Sequence, residues 1–283
     1  MNSIFCSILA AKEGEPVYGT APEKDSAIFL PAQKTVWHRI SAKERLGELF
    51  KKSDLSQAIA SFERPLIIFY SPNERTGDHI FVSDSSGIKC FSTTGLKTEK
   101  KVKYLYAICT DGIKDACCAK FGIPVAKALS KECEEDQFSL SFETSHIGGC
   151  RFAATAVCFP SGNSYGRIYP EAAYEIKRSE ENGLIVSKIF RGNIFVSEIH
   201  CWIMRHSMEN FGYVPTPDQT EVVKEENRFH ITITPDQSPK FKFDLIHHEV
   251  EPKLFSGCSN IDSGRSITRS IYDFAQSHTL LND

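Results

Sequence analysis

Short apolar runs separated by polar turns predict alternating strands and helices over the first two thirds of the chain. Ala27–Leu30, Pro65–Tyr70 and Val102–Ile108 are continuous apolar runs with the length of buried strands, and Phe138–Phe142 is a strand pattern that alternates with a period of two. Ser41-Ala42-Lys43-Glu44 is a capping-box pattern that opens a helix, and Cys117–Lys131 carries apolar residues at helical spacing. The pattern therefore predicts two β-α-β units in succession.

An antiparallel pair of strands is predicted after each unit. His79–Ser83 and Ile88–Ser92 flank a Ser-Ser-Gly turn, and Phe152–Phe159 and Tyr165–Tyr169 flank Pro160-Ser161-Gly162-Asn163. A β-α-β unit followed by an antiparallel pair is the thioredoxin-like order of elements. We therefore predict a mixed α/β (α+β) fold with a thioredoxin-like domain and a mixed sheet, in which the flanking N- and C-terminal α/β regions are candidates for a second such unit.

The patterns divide the chain into three regions. These are a β-α-β-β region over residues 1–98, a thioredoxin-like domain over 99–183 and a C-terminal α/β region over 184–283. In the last region we predict a helix near Ser197–Phe211, strands at Phe229–Thr234 and Phe241–Val250, and a terminal helix over Ile267–Leu280. The pattern leaves open whether this region packs with the N-terminal region or forms a small domain.

Composition and charge exclude several classes of protein. A net charge of −3 over 283 residues gives no electrostatic footprint for nucleic acid, and no run approaches the length of a membrane helix. The apolar stretch Ile4–Ala11 lacks the basic flank of a secretory signal. We therefore expect a cytoplasmic location, no membrane insertion and no nucleic-acid partner, and we expect the ten cysteines to be free or metal-bound.

Three cysteines and one histidine form the candidate site: Cys109, Cys118, His146 and Cys150. Thiolate and imidazole donors in two close pairs suit a zinc ion or an iron–sulfur cluster. The gap of eight residues between the first two cysteines is longer than that of a zinc knuckle, but it does not exclude zinc. From spacing alone, zinc, an iron–sulfur cluster and ordinary buried cysteines all stay open. The adjacent Cys117 is an alternative to Cys118.

Several segments resemble the sucrase/ferredoxin-like family. Cys109–Leu129 is similar to the family's cysteine loop and helix, Ser145–Ala153 to its histidine–glycine–glycine segment, and Tyr165-Gly166-Arg167 to the strand after it. Gly14-Glu15-Pro16 and Phe190-Arg191-Gly192 are weaker matches. The resemblance extends over most of the chain and implies a thioredoxin-like protein that holds a [2Fe–2S] cluster.

The resemblance also implies a set of ligands, in which the eight-residue gap favours Cys118 over Cys117. Cys109 and Cys118 would bind one iron, and His146 and Cys150 would bind the other. Many family members have two histidines in the glycine–glycine segment, whereas this chain has a cysteine at the second position. The implied site is therefore a three-cysteine, one-histidine site, and a neutral histidine ligand would give it a raised and pH-dependent potential.

The four candidate ligands and the family resemblance together predict a one-electron carrier. An electron-transfer role is favoured over that of an enzyme with its own substrate. The sequence has no glycine-rich dinucleotide fingerprint, so we expect a separate reductase as donor and an unidentified acceptor. A structural zinc site in a binding protein is the alternative. A thiol oxidoreductase is disfavoured because the chain lacks a Cys-x-x-Cys pair, and a glycosidase because no carboxylate pair is evident. The oligomeric state is not encoded in these patterns.

The remaining cysteines are singletons for which ordinary packing is the simplest interpretation: Cys6, Cys90, Cys133, Cys158, Cys201 and Cys258. Cys258 beside Gly257 is a candidate for supporting the site from outside the ligand set. Arg151, directly after Cys150, is a candidate for lowering the negative charge of the site.

Overall fold

The structure is a computed structural model that describes residues 5–49, 53–236, 240–254, 257–258 and 265–281. Ile4 and Phe50, which the sequence places in apolar stretches, lie outside the described residues. The helices are α1 (Cys6–Lys12), α2 (Ala42–Leu49), α3 (Ser53–Ile59), α4 (Ala116–Cys133), α5 (Ala173–Glu181) and α6 (Glu198–Phe211). Within the described part of the chain, no helix is both long and apolar enough to cross a bilayer.

Three sheets contain the strands of the described residues. The nine-stranded sheet contains β1 (Ala27–Pro31), β2 (Leu66–Tyr70), β3 (His79–Asp84), β4 (Gly87–Ser92), β5 (Tyr104–Cys109), β6 (Ser139–Thr144), β7 (Ala156–Phe159), β8 (Asn163–Tyr165) and β9 (Phe190–Asn193). The four-stranded sheet contains β10 (Thr220–Glu225), β11 (Arg228–Ile233), β12 (Lys240–Val250) and β15 (Arg269–Leu281), and a small pair contains β13 (Lys253–Leu254) and β14 (Arg265–Ser266).

The same strand order occurs twice in the large sheet, which runs β4-β3-β1-β2-β6-β5-β7-β8-β9. In each half the first two strands are parallel, the third is antiparallel to the first, and the fourth is antiparallel to the third. The two halves meet where β2 pairs with β6, at Tyr70 and Thr144. The mixed α/β fold class with a mixed sheet is confirmed, and β1–β4 show the predicted thioredoxin-like order by themselves.

The predicted terminal helix over Ile267–Leu280 is wrong, because β15 occupies this segment. It pairs with β12 in an antiparallel register that places Phe274 opposite Leu245. Tyr272 and Phe274 lie two residues apart, on one face of the strand, and pack with Trp202 of α6 in the same hydrophobic cluster. Pairing with β12 therefore gives this segment its extended structure. β9 and β10 were not predicted from the sequence.

The helix α4 positions the chemistry-bearing cysteines. Asp115 caps it by accepting a hydrogen bond from the backbone N–H of Cys117 at 2.9 Å. The helix continues through Pro124 instead of ending there. Gly122 faces the end of β5 so closely that a Cβ at this position would lie 2.0 Å from the carbonyl oxygen of Cys109. Only glycine allows the helix to lie this close to the strand end.

Gly122→Ala should therefore destabilise the fold, because the added methyl group must displace backbone. We expect a loss of about 1–3 kcal/mol in the free energy of unfolding. Gly47→Ala in α2 is the matched control, since an added Cβ there meets nothing within 4 Å and should stabilise an exposed helix by roughly 0.5–1 kcal/mol. Chemical denaturation of both variants measures the difference, and equal stabilities would contradict this role of Gly122.

Candidate metal centre

Cys109, Cys118 and His146 come together at one edge of the large sheet, and we name them the His146 group. Their ligating atoms all lie within 4.8 Å of one another, and His146 Nδ1 is 3.9 Å from each of the two sulfurs. Cys109 is the last residue of β5, Cys118 lies in the first turn of α4, and His146 follows the end of β6. Both cysteines are buried, whereas His146 is half-buried.

Hydrogen bonds within the His146 group favour a thiolate. A hydrogen bond with Cys118 is the main cause that lowers the pKa of the Cys109 thiol to about 5, and His146 acts in the same direction. The same contact with Cys109 raises the pKa of Cys118, so the shared proton stays on Cys118. The hydrogen bond with Cys109 also raises the pKa of His146. The thiolate is the form of cysteine that binds metals, so Cys109 is prepared for that role.

Asp111 holds the two loops of the group together. Its Oδ2 accepts a hydrogen bond from the backbone N–H of His146 at 3.1 Å, and its Oδ1 accepts one from the N–H of Lys114 at 3.1 Å. His38 Nε2 lies 2.7 Å from Oδ1 of the same carboxylate. Asp111 is buried, at 4% exposure. This carboxylate therefore fixes the position of the histidine loop relative to the cysteine loop.

Cys150 is not part of the mutually close His146 group. Its thiol hydrogen-bonds with Cys6, and this contact is the main cause that lowers the pKa of Cys150. The charge on His146 lowers the same pKa. Cys150 follows Gly148 and Gly149, whose φ angles of +89° and +80° are in the left-handed region that glycine adopts without strain. The structure therefore brings three of the four sequence-predicted residues together and places the fourth nearby.

Four arginine side chains gather behind this loop: Arg151, Arg167, Arg191 and Arg269. The guanidinium groups of the first three lie 4.4–5.5 Å from the ring centroid of Phe152. Glu15, fully buried, pairs with Arg151 at 2.7 Å and with Arg269 at 3.4 Å. The sequence indicated two of these residues, because Glu15 and Arg191 lie in the two segments with a weaker resemblance to the family.

Arg191 brings positive charge to the site. Burial, together with the charges of Arg151 and Arg269, lowers the pKa of Arg191 to about 9, while Cys150 and Cys109 act in the opposite direction. The guanidinium group is therefore still protonated at neutral pH. It donates to the carbonyl oxygen of Thr20 at 2.6 Å and reaches the carbonyl oxygen of Gly148 at 3.4 Å. A fixed cation thus faces the two cysteines.

A second group, which we name the Asp115 group, consists of Cys6, Asp115, Cys117 and Cys258. Their ligating atoms also lie within 4.8 Å of one another. A hydrogen bond with Cys6 is the main cause that lowers the pKa of Cys117 to about 6. The sequence predicts packing for Cys6, and packing or support from outside the ligand set for Cys258. Both expectations miss this group. Nothing in the local sequence relates residues that lie 252 positions apart.

Comparison with known families identifies the chain. Residues 7–192 match the model of the sucrase/ferredoxin-like family. The chain belongs to this family. The matched segment of the sucrase/ferredoxin-like protein contains the whole His146 group, Cys150 and the arginine at position 191, which the structure brings into one region.

Some solved structures are similar to part of this sucrase/ferredoxin-like protein. One is a thioredoxin-like [2Fe–2S] ferredoxin from Aquifex aeolicus, with 18% sequence identity and a TM-score of 0.29 over 32% of this chain and 90% of that chain. A second structure, of the wild-type protein, has 18% identity and a TM-score of 0.28 over 32% and 96% of the two chains. No curated protein matches the sequence. The family assignment therefore rests on the match over residues 7–192.

The chemistry of the donors fits a bound metal. Buried thiolates and a neutral imidazole are soft and borderline donors that bind zinc or iron, and hard cations such as magnesium prefer oxygen. Each of the two groups in the described residues gathers at least three such ligating atoms. This member of the sucrase/ferredoxin-like family therefore has Cys/His groups that could bind a metal.

Removal of the Asp111 carboxylate should weaken metal binding, because the histidine loop loses its link to the cysteine loop. We expect Asp111→Ala to lower metal affinity about 10–100-fold. Asp84→Ala is the matched control, since Asp84 also accepts backbone and side-chain hydrogen bonds, but in the β3–β4 turn. The measurement is the chelator concentration that removes half of the bound metal. Equal values for the two variants would show that Asp111 does not support the site.

Proposed function

We propose that the chain is a one-electron carrier that holds a [2Fe–2S] cluster on Cys109, Cys118, His146 and Cys150. The observation that carries this proposal is the convergence of the His146 group from two separate loops in a chain of the sucrase/ferredoxin-like family. A bound cluster would supply a site that takes up and returns one electron. The protein would supply ligands, burial and charge.

The first turn of α4 supports Cys118 as the ligand in preference to Cys117. Consecutive residues of an α-helix point about 100° apart, so the two thiols cannot face the same group. Cys118 faces Cys109 and His146. Cys117 lies 3.1 Å from Cys258 Sγ and 3.5 Å from Cys6 Sγ. In this proposal, therefore, Cys117 does not bind the cluster.

Cys150 is the fourth ligand in this proposal. It lies close enough to His146 and Cys118 for their charges to affect one another. Glycine adopts a wide range of backbone conformations, so the Gly148-Gly149 pair allows the loop to adjust its direction. In the same proposal a separate reductase supplies the electron and an unidentified acceptor takes it. The pH dependence of the potential through His146 remains a prediction.

A structural zinc site is the second candidate function, and one observation favours it. The three ligating atoms of the His146 group are all close to one another, as the ligands of a single tetrahedral ion are. The two candidates differ in iron and in inorganic sulfide, which only the cluster contains. Elemental analysis therefore separates them.

Anaerobically purified protein should contain about two irons and two sulfides per chain and be red-brown. Cys109→Ser and Cys118→Ser should lose most of the visible absorption and iron, because each removes a thiolate ligand. Cys90→Ser is the matched control, since Cys90 is also buried but lies in β4. Cys117→Ser should keep the visible spectrum.

Two outcomes would contradict the proposed function. A colourless protein without iron or sulfide would show that the chain binds no cluster. A normal visible spectrum in Cys118→Ser would overturn the ligand set. If Cys117→Ser also lost its visible spectrum, Cys117 would be the ligand in place of Cys118. Circular dichroism of each variant separates loss of the cluster from loss of the fold.

The charge of Arg191 should raise the midpoint potential, because a nearby cation stabilises the more negative reduced state. Arg191→Gln should therefore lower the potential by an amount on the order of tens of millivolts. Arg191→Lys alters the shape of the side chain in a similar way but keeps the charge, so its potential should stay closer to that of the unmodified protein. Redox titration followed by visible absorption measures both variants. Identical potentials in the two variants would exclude this role of charge.

A further inference from the structure

The Asp115 group gathers three thiols and one carboxylate from distant parts of the chain. Cys117 Sγ lies 3.1 Å from Cys258 Sγ and 3.5 Å from Cys6 Sγ, and the last two sulfurs are 3.7 Å apart. Asp115 Oδ2 lies 3.8 Å from Cys6 Sγ. The contributing elements are α1, the N-terminus of α4 and residues 257–258 between β13 and β14. Four potential ligands therefore surround one point.

The sulfur–sulfur distances in the Asp115 group are close to those between the sulfur ligands of a tetrahedral zinc site. With Zn–S bonds of about 2.3 Å, two sulfur ligands lie about 3.8 Å apart. The three sulfur–sulfur distances of 3.1–3.7 Å form a triangle near this size. A disulfide would require about 2.05 Å, and all three cysteines are free thiols. The triangle therefore fits three ligands on one face of a tetrahedron, and the carboxylate fits the fourth position.

Hydrogen bonds hold the side chains of Asp115 and Cys117 in place, as is typical of metal ligands. Asp115 Oδ1 accepts the backbone N–H of Cys117 at 2.9 Å, and its Oδ2 accepts that of Cys258 at 2.9 Å. Both oxygens also accept from the Cys6 thiol, at 3.9 and 3.8 Å, and Asp115 hydrogen-bonds with Cys150. Because Cys6 binds a metal as a thiolate, metal binding frees an acceptor position on the carboxylate. The hydroxyl group of Ser7 donates to Cys117 Sγ at 3.3 Å. Hydrogen bonds of this kind orient ligands in metal sites.

We propose that Cys6, Cys117, Cys258 and Asp115 bind one zinc ion in a structural site that is separate from the His146 group. Four protein ligands leave no open position, which is the property of structural zinc sites. Cys6 and Cys258 lie outside residues 7–192, so this site is not contained in the segment that matches the family. The proposal therefore does not depend on the cluster.

Such a zinc ion would join both ends of the chain to α4. The site closes loops of 111 residues between Cys6 and Cys117 and 141 residues between Cys117 and Cys258. Constraints across long loops remove much entropy from the unfolded chain. The ion would also fix the helix end that carries Cys118. Loss of zinc should therefore lower the stability of the protein.

Elemental analysis of the full chain, purified anaerobically without added metal, tests the site. We expect about one zinc per chain in the unmodified protein and in Cys90→Ser and Cys109→Ser. Cys6→Ser and Cys258→Ser should lose most of this zinc. Iron is measured in the same samples, so failure of the cluster would appear as missing iron and leave the zinc result unchanged. Two results would overturn the proposal. One is an absence of zinc from the protein without substitutions, and the other is an unchanged zinc content in both Cys6→Ser and Cys258→Ser.

X-ray absorption at the zinc edge tests the same site without a substitution, in case the variants do not fold. The expected zinc environment is three sulfurs at about 2.3 Å and one oxygen at about 2.0–2.2 Å, without the scattering of an imidazole ring. An environment that includes imidazole would place the zinc in the His146 group and overturn the proposal. Each result therefore assigns the ion to one of the two groups or excludes it.

Discussion

The close contact between α4 and the end of β5 is the constraint on which both groups of donors depend. Gly122 lets the helix approach the Cys109 carbonyl, and Asp115 fixes where the helix begins. A start one residue later would rotate the first turn by about 100° and turn Cys118 away from Cys109. Local backbone geometry therefore decides which of two adjacent thiols joins which group.

Much of the framework around the site could be predicted from the sequence, because β5, α4 and β6 are strong local patterns. The end of β5 at Cys109 and the cap at Asp115 both depend on neighbouring residues alone. The contacts of Cys6 and Cys258 could not be predicted, since they depend on how distant segments pack. The helix predicted over Ile267–Leu280 failed because a partner strand, β12, selects the extended form of an ambiguous segment. The ligand set itself stays a prediction.

The buried arginines share one electrostatic role, which is to balance buried negative charge. Thiolates in a buried site carry negative charge at a cost in solvation, and a buried arginine carries positive charge at a similar cost. Arg191 faces Cys109 and Cys150, so each charge offsets part of the cost of the other. Glu15 balances Arg151 and Arg269 from the other side. Glu15 and Arg191 therefore contribute to the electrostatics of the site as well as to its packing.

The junction of the two halves of the large sheet has a consequence for dissection of the protein. Thr144 pairs with Tyr70 on one side and with Cys109 on the other, and the Tyr70 ring stacks on Phe142 at 4.3 Å. A fragment that starts after residue 98 would expose this aromatic face and leave β6 as an open edge. Open, apolar edges recruit strands from other molecules. Such a truncated protein should self-associate, even though it would retain Cys109, Cys118, His146 and Cys150.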